Sequence, residues 1–136
     1  MNTGTRFFLS VLVSAALFLS VQAMAAEQVV NAKTVAEHMD KGKYSSSDIK
    51  SYMKGLKGAT ITADGKVNDI MAGKTGTRVV LSIAAGSHND FVVDVYVNDA
   101  SKLHNGDHVS CKGEYSRYNG WTLNGIALKD GSCSKK

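Results

Sequence analysis

The spacing of hydrophobic residues divides the sequence into three regions. An apolar run without charged residues occupies residues 7–21. In residues 34–58 the apolar side chains recur every three or four positions, which is the spacing of one face of an α-helix. From residue 59 onwards apolar and polar residues tend to alternate, as they do in β-strands that bury one face. The pattern therefore predicts an apolar leader, a short helical segment and a larger β-domain.

Two short helices are predicted ahead of the β-domain. Thr34 and Glu37 match a capping box, in which both side chains accept hydrogen bonds from backbone amides at the start of a helix. The first helix is therefore expected at residues 34–41, before Gly42. A second helix is expected to follow the caps in residues 45–48 and to end at Gly58. Its buried face should consist of Ile49, Tyr52, Met53 and Leu56.

Five strands are predicted in the β-domain, separated by glycine, asparagine and aspartate residues that favour turns. The first strand is long and is broken near Gly65, since a glycine within a strand commonly marks a bulge or a bend. Asn119 and Gly120 are expected to form the hairpin turn between the fourth and fifth strands. The five strands are expected at residues 59–71, 77–84, 91–97, 108–118 and 121–129.

A bent first strand can take part in two sides of a small barrel. Five strands with such a bend are what a Greek-key barrel of the OB type requires. We therefore expect a mainly β fold, a five-stranded OB-type barrel preceded by one or two short helices. The expected organisation is a signal peptide at residues 1–25, a helical segment at residues 26–58 and the barrel at residues 59–136.

The apolar leader has the three parts of a secretory signal peptide. Arg6 supplies a basic start, residues 7–21 supply the apolar centre, and Ala23-Met24-Ala25 supplies a small-residue cleavage site. Cleavage after Ala25 leaves 136 − 25 = 111 residues, which is room for one small domain. The mature protein is expected to be periplasmic or secreted, without a membrane span.

The predicted export affects both the net charge of the mature protein and the expected redox state of its cysteines. The net charge falls from +4 to +3 when Arg6 is removed, and most of the surplus lies in residues 33–58, which carry six basic and three acidic residues. The barrel itself is almost neutral, unlike a protein that follows phosphates along a nucleic acid. Cys111 and Cys133 would reach an oxidising compartment, where a disulfide is the expected state. It is expected to connect the fourth strand to the C-terminal tail.

Several short motifs rich in glycine and aliphatic residues occur along the chain: Leu56-Lys57-Gly58, Gly65-Lys66-Val67-Asn68-Asp69-Ile70, Leu103, Gly106-Asp107-His108-Val109, Cys111-Lys112-Gly113 and Gly120-Trp121-Thr122-Leu123. These motifs resemble those of the exported OB-fold proteins that are grouped as tRNA-anticodon-binding-like. The resemblance covers roughly residues 47–133 and implies a binding barrel without implying catalysis. The small exported stress-associated BOF proteins share size and location, but their aromatic-basic-acidic strand motif is missing here.

No motif in the sequence supports an enzymatic activity or a bound cofactor. Gly73-Lys74-Thr75 imitates part of a phosphate loop, but Asn68 stands where the pattern needs glycine and a strand follows where it needs a helix. His104, Asp107 and His108 could in principle ligate a metal. They lie in a turn and the strand after it, which favours a solvated loop. We therefore predict no catalytic residues and no metal site.

The most specific candidate for a binding surface lies around the last hairpin. The loop between the fourth and fifth strands of an OB fold borders its usual binding face, and aromatic side chains there can stack on bases or sugars. A second interpretation stays open, in which Tyr115 packs inside and Trp121 closes the end of the barrel. The candidate ligand-binding residues are Lys112, Tyr115, Arg117, Tyr118 and Trp121.

These observations predict a non-enzymatic binding module that holds a protein or polymer partner on the hairpin face. The alternative is an OB protein that binds single-stranded nucleic acid, which the fold suggests but the nearly neutral barrel and the predicted export oppose. Binding to oligonucleotides that depends strongly on salt would distinguish the two.

Overall fold

The computed structural model describes residues 28–85 and 88–136, so the predicted signal peptide lies outside the described residues. The secondary structure comprises two helices and six strands within that part of the chain. In chain order these are β1 (Val29–Asn31), α1 (Ala32–His38), α2 (Ser46–Lys54), β2 (Thr60–Gly73), β3 (Gly76–Ala85), β4 (His88–Val97), β5 (His108–Tyr118) and β6 (Gly125–Lys135).

Strands β2 to β6 form a closed barrel, which confirms the predicted fold class. The strands follow the order β2-β3-β4-β6-β5, and β5 returns to pair with β2. Strands β4 and β6 are parallel, whereas the other neighbours within the barrel are antiparallel. A closed five-stranded barrel of this mixed order is consistent with an OB-like fold.

Strand β2 closes the barrel by serving two neighbours, as its predicted bend requires. Residues 60–66 pair with β5, and residues 66–73 pair with β3. A Cβ atom at Gly65 would lie 2.7 Å from the carbonyl oxygen of Ser82 and 2.8 Å from Cγ2 of Ile83. Only a residue without a side chain therefore allows β3 to approach this closely.

The core lies inside the barrel and continues onto the helices. Alternation holds along β4, where Phe91, Val93 and Val95 are buried, and along β5, where Val109, Cys111 and Gly113 are buried. Helix α1 packs against β2, β3 and β4. It adds Ala32, Val35, Ala36 and Met39 to the same hydrophobic cluster.

Helix α1 begins earlier than the sequence predicts. It covers residues 32–38 rather than 34–41, and its cap is Asn31, whose side chain accepts a hydrogen bond from the Lys33 amide at 2.9 Å. The predicted capping box at Thr34 is wrong because β1 pairs with β2 up to Asn31 and the chain turns into the helix immediately afterwards. Thr34 consequently lies inside the helix.

Helix α2 has the predicted cap and most of the predicted buried face, in which Tyr52 is only half-buried. Ser45 Oγ accepts a hydrogen bond from the Asp48 amide, and Ile49 and Met53 are buried. The helix ends at Lys54 rather than Gly58. A turn follows, in which Leu56 is buried and Gly58 adopts a φ of 81°, a left-handed conformation that favours glycine.

The last strand starts later and ends later than predicted. Residues 119–124 form a loop, and β6 covers residues 125–135 rather than 121–129. Asn119 is the reason, since its side-chain oxygen accepts hydrogen bonds from the amides of Trp121 and Thr122 at 3.0 and 3.3 Å. Those amides are therefore hydrogen-bonded within the loop, and β6 begins after them.

The predicted disulfide is present between Cys111 and Cys133. Cys133 belongs to β6 and not to a C-terminal tail, so the bridge connects two paired strands at directly opposite positions. This bond indicates an oxidising, extracytoplasmic environment. In the described part of the chain no helix has the length and hydrophobicity needed to cross a membrane.

Candidate functional site

A groove of about 530 Å³ lies on the outer face of the barrel, beside the loop of residues 119–124. We call it the β-face groove. Strands β3, β4, β5 and β6 all contribute to it, because their outward residues alternate with the buried residues of the core. Its polar lining includes Arg78, Asp94, Arg117, Tyr118, Asn119 and Asn124.

An ion pair lies in the wall of the groove. Arg78 Nε lies 3.5 Å from Asp94 Oδ1, and the two side chains are only 37% and 21% exposed. Both of these atoms are buried without a hydrogen-bond partner among the described residues. Burial raises the pKa of the Asp94 carboxyl, and the positive charges of Arg78 and Arg117 oppose this shift. The pair therefore retains unused hydrogen-bonding capacity next to the groove.

Arg117 is held on the edge of the same groove. Its Nη2 donates a hydrogen bond of 3.4 Å to the hydroxyl of Tyr96. The β3–β4 register places Tyr96 opposite Arg78, and Tyr96 follows Asp94 by two residues on β4, so it shares a face with this ion pair. The groove is thus lined by Arg78, Asp94, Arg117 and Tyr118, and Tyr96 contacts Arg117 at its edge. This mixture of charged and aromatic side chains suits polar and aromatic groups of a partner.

Trp121 projects from the loop beside the groove. Its side chain is 94% exposed. The loop is nevertheless anchored at both ends, by the Asn119 hydrogen bonds and by Asn124 Nδ2, which donates to the carbonyl oxygen of Asp90 at 2.9 Å. An exposed indole on an anchored loop is the kind of side chain that contributes most to interfaces, because little conformational freedom is lost on binding.

The structure brings three of the five predicted ligand-binding residues together. Arg117 and Tyr118 line the groove, and Trp121 stands in the adjoining loop. Tyr115 is 8% exposed and packs into the core, and burial raises its pKa to about 12. Lys112 lies farther along β5, beside the disulfide, where it faces a different surface depression.

Three residues of the site escaped prediction: Arg78, Asp94 and Tyr96. In the structure each of them is adjacent to a buried residue of its strand and points outward. Nothing in the sequence indicates the register between β3 and β4, or the parallel pairing that places β6 next to β4. A polar face could have been found from the period-two pattern, but the cluster could not.

The segment with His104, Asp107 and His108 has a structural role. The Asp107 carboxylate accepts a hydrogen bond from the His104 amide at 2.9 Å and pairs with Lys135 Nζ at 3.4 Å. These contacts hold the turn before β5. Among the described residues, no group of three or more His, Cys, Asp or Glu side chains is arranged to hold a metal ion.

Comparison with known proteins adds no family to this description. No protein-family model matches the chain, and no curated protein sequence matches it. The description of the fold therefore rests on the strand order, which is consistent with an OB-like barrel.

Proposed function

We propose that this protein is an exported, non-enzymatic binding module that holds a protein or polymer partner on the β-face groove and the 119–124 loop. The observation that carries the proposal is Trp121, which is almost fully exposed beside a groove containing two arginines. A large exposed aromatic ring costs free energy in water unless a partner covers it. Aromatic and arginine side chains are also the commonest anchors of interfaces.

The proposed location is the periplasm or the exterior of the cell. It is supported by the disulfide between Cys111 and Cys133 and by the signal-peptide pattern of residues 1–25. The glycine and aliphatic motifs that resemble the tRNA-anticodon-binding-like exported proteins agree with a binding barrel. They do not identify the partner.

The proposal is tested by retaining partners from a periplasmic extract on the oxidised, mature protein. Trp121→Ala and Tyr118→Ala are each expected to weaken retention, by about 30-fold in affinity if the residue is an anchor worth ~2 kcal/mol. Tyr44→Ala is the matched control, since Tyr44 is a partly exposed ring that contacts His38 rather than the groove. Circular dichroism should show that all three variants are folded. Retention at wild-type strength by both groove variants would refute the proposal.

Single-stranded nucleic acid is the second candidate partner. Arg78 and Arg117 beside exposed or half-exposed rings favour it, because bases stack on aromatic side chains while arginine neutralises phosphate. The dependence of binding affinity on salt concentration distinguishes the two hypotheses. A nucleic-acid complex loses orders of magnitude in affinity across the physiological range, whereas a complex with a protein or an uncharged polymer should weaken only slightly on this nearly neutral barrel.

A further inference from the structure

A second cleft lies between helix α2 and strand β5 and has a different chemical character. Its volume is about 550 Å³. The helix wall carries Lys50 and Lys54, and Lys57 follows in the next turn. The strand wall carries the rings of Tyr115 and Tyr118. We call this the lysine cleft; its lining residues are Ser47, Lys50, Ser51, Met53, Lys54, Lys57, Tyr115, Ser116 and Tyr118.

The positive charge of this cleft is unopposed. Lys50, Lys54 and Lys57 are exposed, and none of them forms an ion pair within the part of the chain that the structure describes. The cleft lining contains no aspartate or glutamate among the described residues. The carboxylate of nearby Asp48 accepts a hydrogen bond from the Ser45 hydroxyl at the start of the helix. Three lysines therefore converge on one opening without internal neutralisation, which favours an anionic occupant.

The floor and strand wall of the cleft are less polar than its rim. Met53 and Tyr115 are buried, and Tyr118 is half-buried. An occupant that carries only charge would leave these surfaces unused, whereas one with an apolar side chain between its charges would cover them. The combination favours an amphipathic anion over a free phosphate ion.

The spacing of the lysines fits an extended polypeptide. Lys50 and Lys54 are four residues apart, which is about 6 Å along a helix axis at 1.5 Å per residue. Alternate side chains of an extended chain lie roughly 6.8 Å apart on one face. Two carboxylates separated by one residue could therefore meet the two lysines, while the residue between them would point to the tyrosine wall.

We propose that the lysine cleft binds an acidic polypeptide segment in which an apolar or aromatic residue stands between two carboxylates. Three lysines within residues 50–57 are few for a nucleic-acid site, which gathers cations over a longer track and usually includes arginine. Tyr118 lines both this cleft and the β-face groove, whereas Trp121 does not line the cleft, so a change at Trp121 distinguishes the two sites.

The test uses the mature, oxidised protein and a labelled, acetylated and amidated peptide of sequence Asp-Leu-Glu-Phe-Glu-Leu-Asp. Fluorescence anisotropy at low salt measures its affinity. Replacing Lys50, Lys54 and Lys57 together by glutamine should weaken binding about tenfold, which is the effect of three partly screened charge contacts. The control replaces Lys41, Lys74 and Lys102 by glutamine. This removes the same charge from exposed positions outside the cleft and should change affinity less than about twofold.

Four results would overturn the inference. The first is an equal loss in the control variant, which would show that net charge alone attracts the peptide. The second is equal affinity for the peptide with Asn and Gln in place of its acids. The third is tighter binding of a single-stranded thymidine oligonucleotide through the same three lysines. The fourth is loss of peptide binding in Trp121→Ala, which would place the peptide on the β-face groove; in that case the proposed function would stand and the second site would not.

Discussion

Gly113 lies where β5 and β6 pack so closely that even an alanine side chain should destabilise the fold. Replacing it with alanine adds a single methyl group. The new Cβ would lie 2.9 Å from Leu128 Cβ and 3.0 Å from the carbonyl oxygen of Lys129. Carbon atoms in ordinary contact are roughly 3.5–4.0 Å apart. One of the two strands must therefore move by roughly half an ångström or more.

The movement cannot be absorbed by a flexible side chain. Two of the three nearest atoms belong to the backbone of β6, and the third is a Cβ that is fixed to it. Crowding of this kind in a packed core costs about 1–3 kcal/mol. Alanine also restricts the unfolded chain and so returns about 0.4–1 kcal/mol of stability. The net loss of unfolding free energy should therefore be about 1–2 kcal/mol, which lowers Tm by roughly 4–10 °C for a domain of this size.

Gly120→Ala provides the matched control. No atom lies within 4 Å of the Cβ that it would add, and its backbone is not left-handed. The same chemical change should here be neutral or stabilising by up to ~1 kcal/mol. Urea denaturation of the oxidised protein, followed by circular dichroism, measures both variants. Equal unfolding free energies for the two variants would show that the strand packing at Gly113 has been described wrongly.

Three further predictions concern the disulfide and two titrating groups. Replacing Cys111 and Cys133 together by alanine should lower the unfolding free energy by about 3 kcal/mol, because the bridge closes a loop across a sequence separation of 22; an unchanged urea midpoint would contradict this. Burial raises the pKa of Tyr115 from 10.0 to about 12, so the unfolding free energy should fall as the pH rises from 10 to 12. Tyr115→Phe should abolish the contribution of this group to the fall, as measured by alkaline denaturation. Arg78→Met should raise the pKa of Asp94 further, measured by NMR titration, since it removes a charge that lowers it; an unchanged pKa in the variant would show that the two groups do not interact.

The sequence alone determined the class of the fold because the signals for it are local. Period-two alternation defines which residues of a strand share one face, and Val109, Cys111 and Gly113, which share a face of β5, are all buried. Gly65 marked the bend that lets one strand serve two neighbours, since a close backbone approach leaves no room for a side chain. Each of these properties depends on a few neighbouring residues.

The ends of the helices and strands were less predictable, because contacts with other parts of the chain determine where each element begins. Thr34 had the right neighbours for a cap, yet the pairing of β1 with β2 brought the helix start to Asn31. Asn119 was correctly expected in a turn. Its side chain accepts two amide hydrogen bonds and so extends that turn into a loop, which delays β6 to Gly125.

The candidate site was decided by the tertiary structure. Arg78 and Asp94 each lie on the outward face of a strand, but their contact depends on the register of β3 against β4 and on the barrel's curvature. Tyr115 and Trp121 are both aromatic residues near one hairpin, and the sequence left both burial and exposure open for them. One is buried because its position on β5 faces the core, and the other is exposed because the loop carries it outside the barrel. Composition cannot make that distinction, since it follows from where the closed barrel places each Cβ.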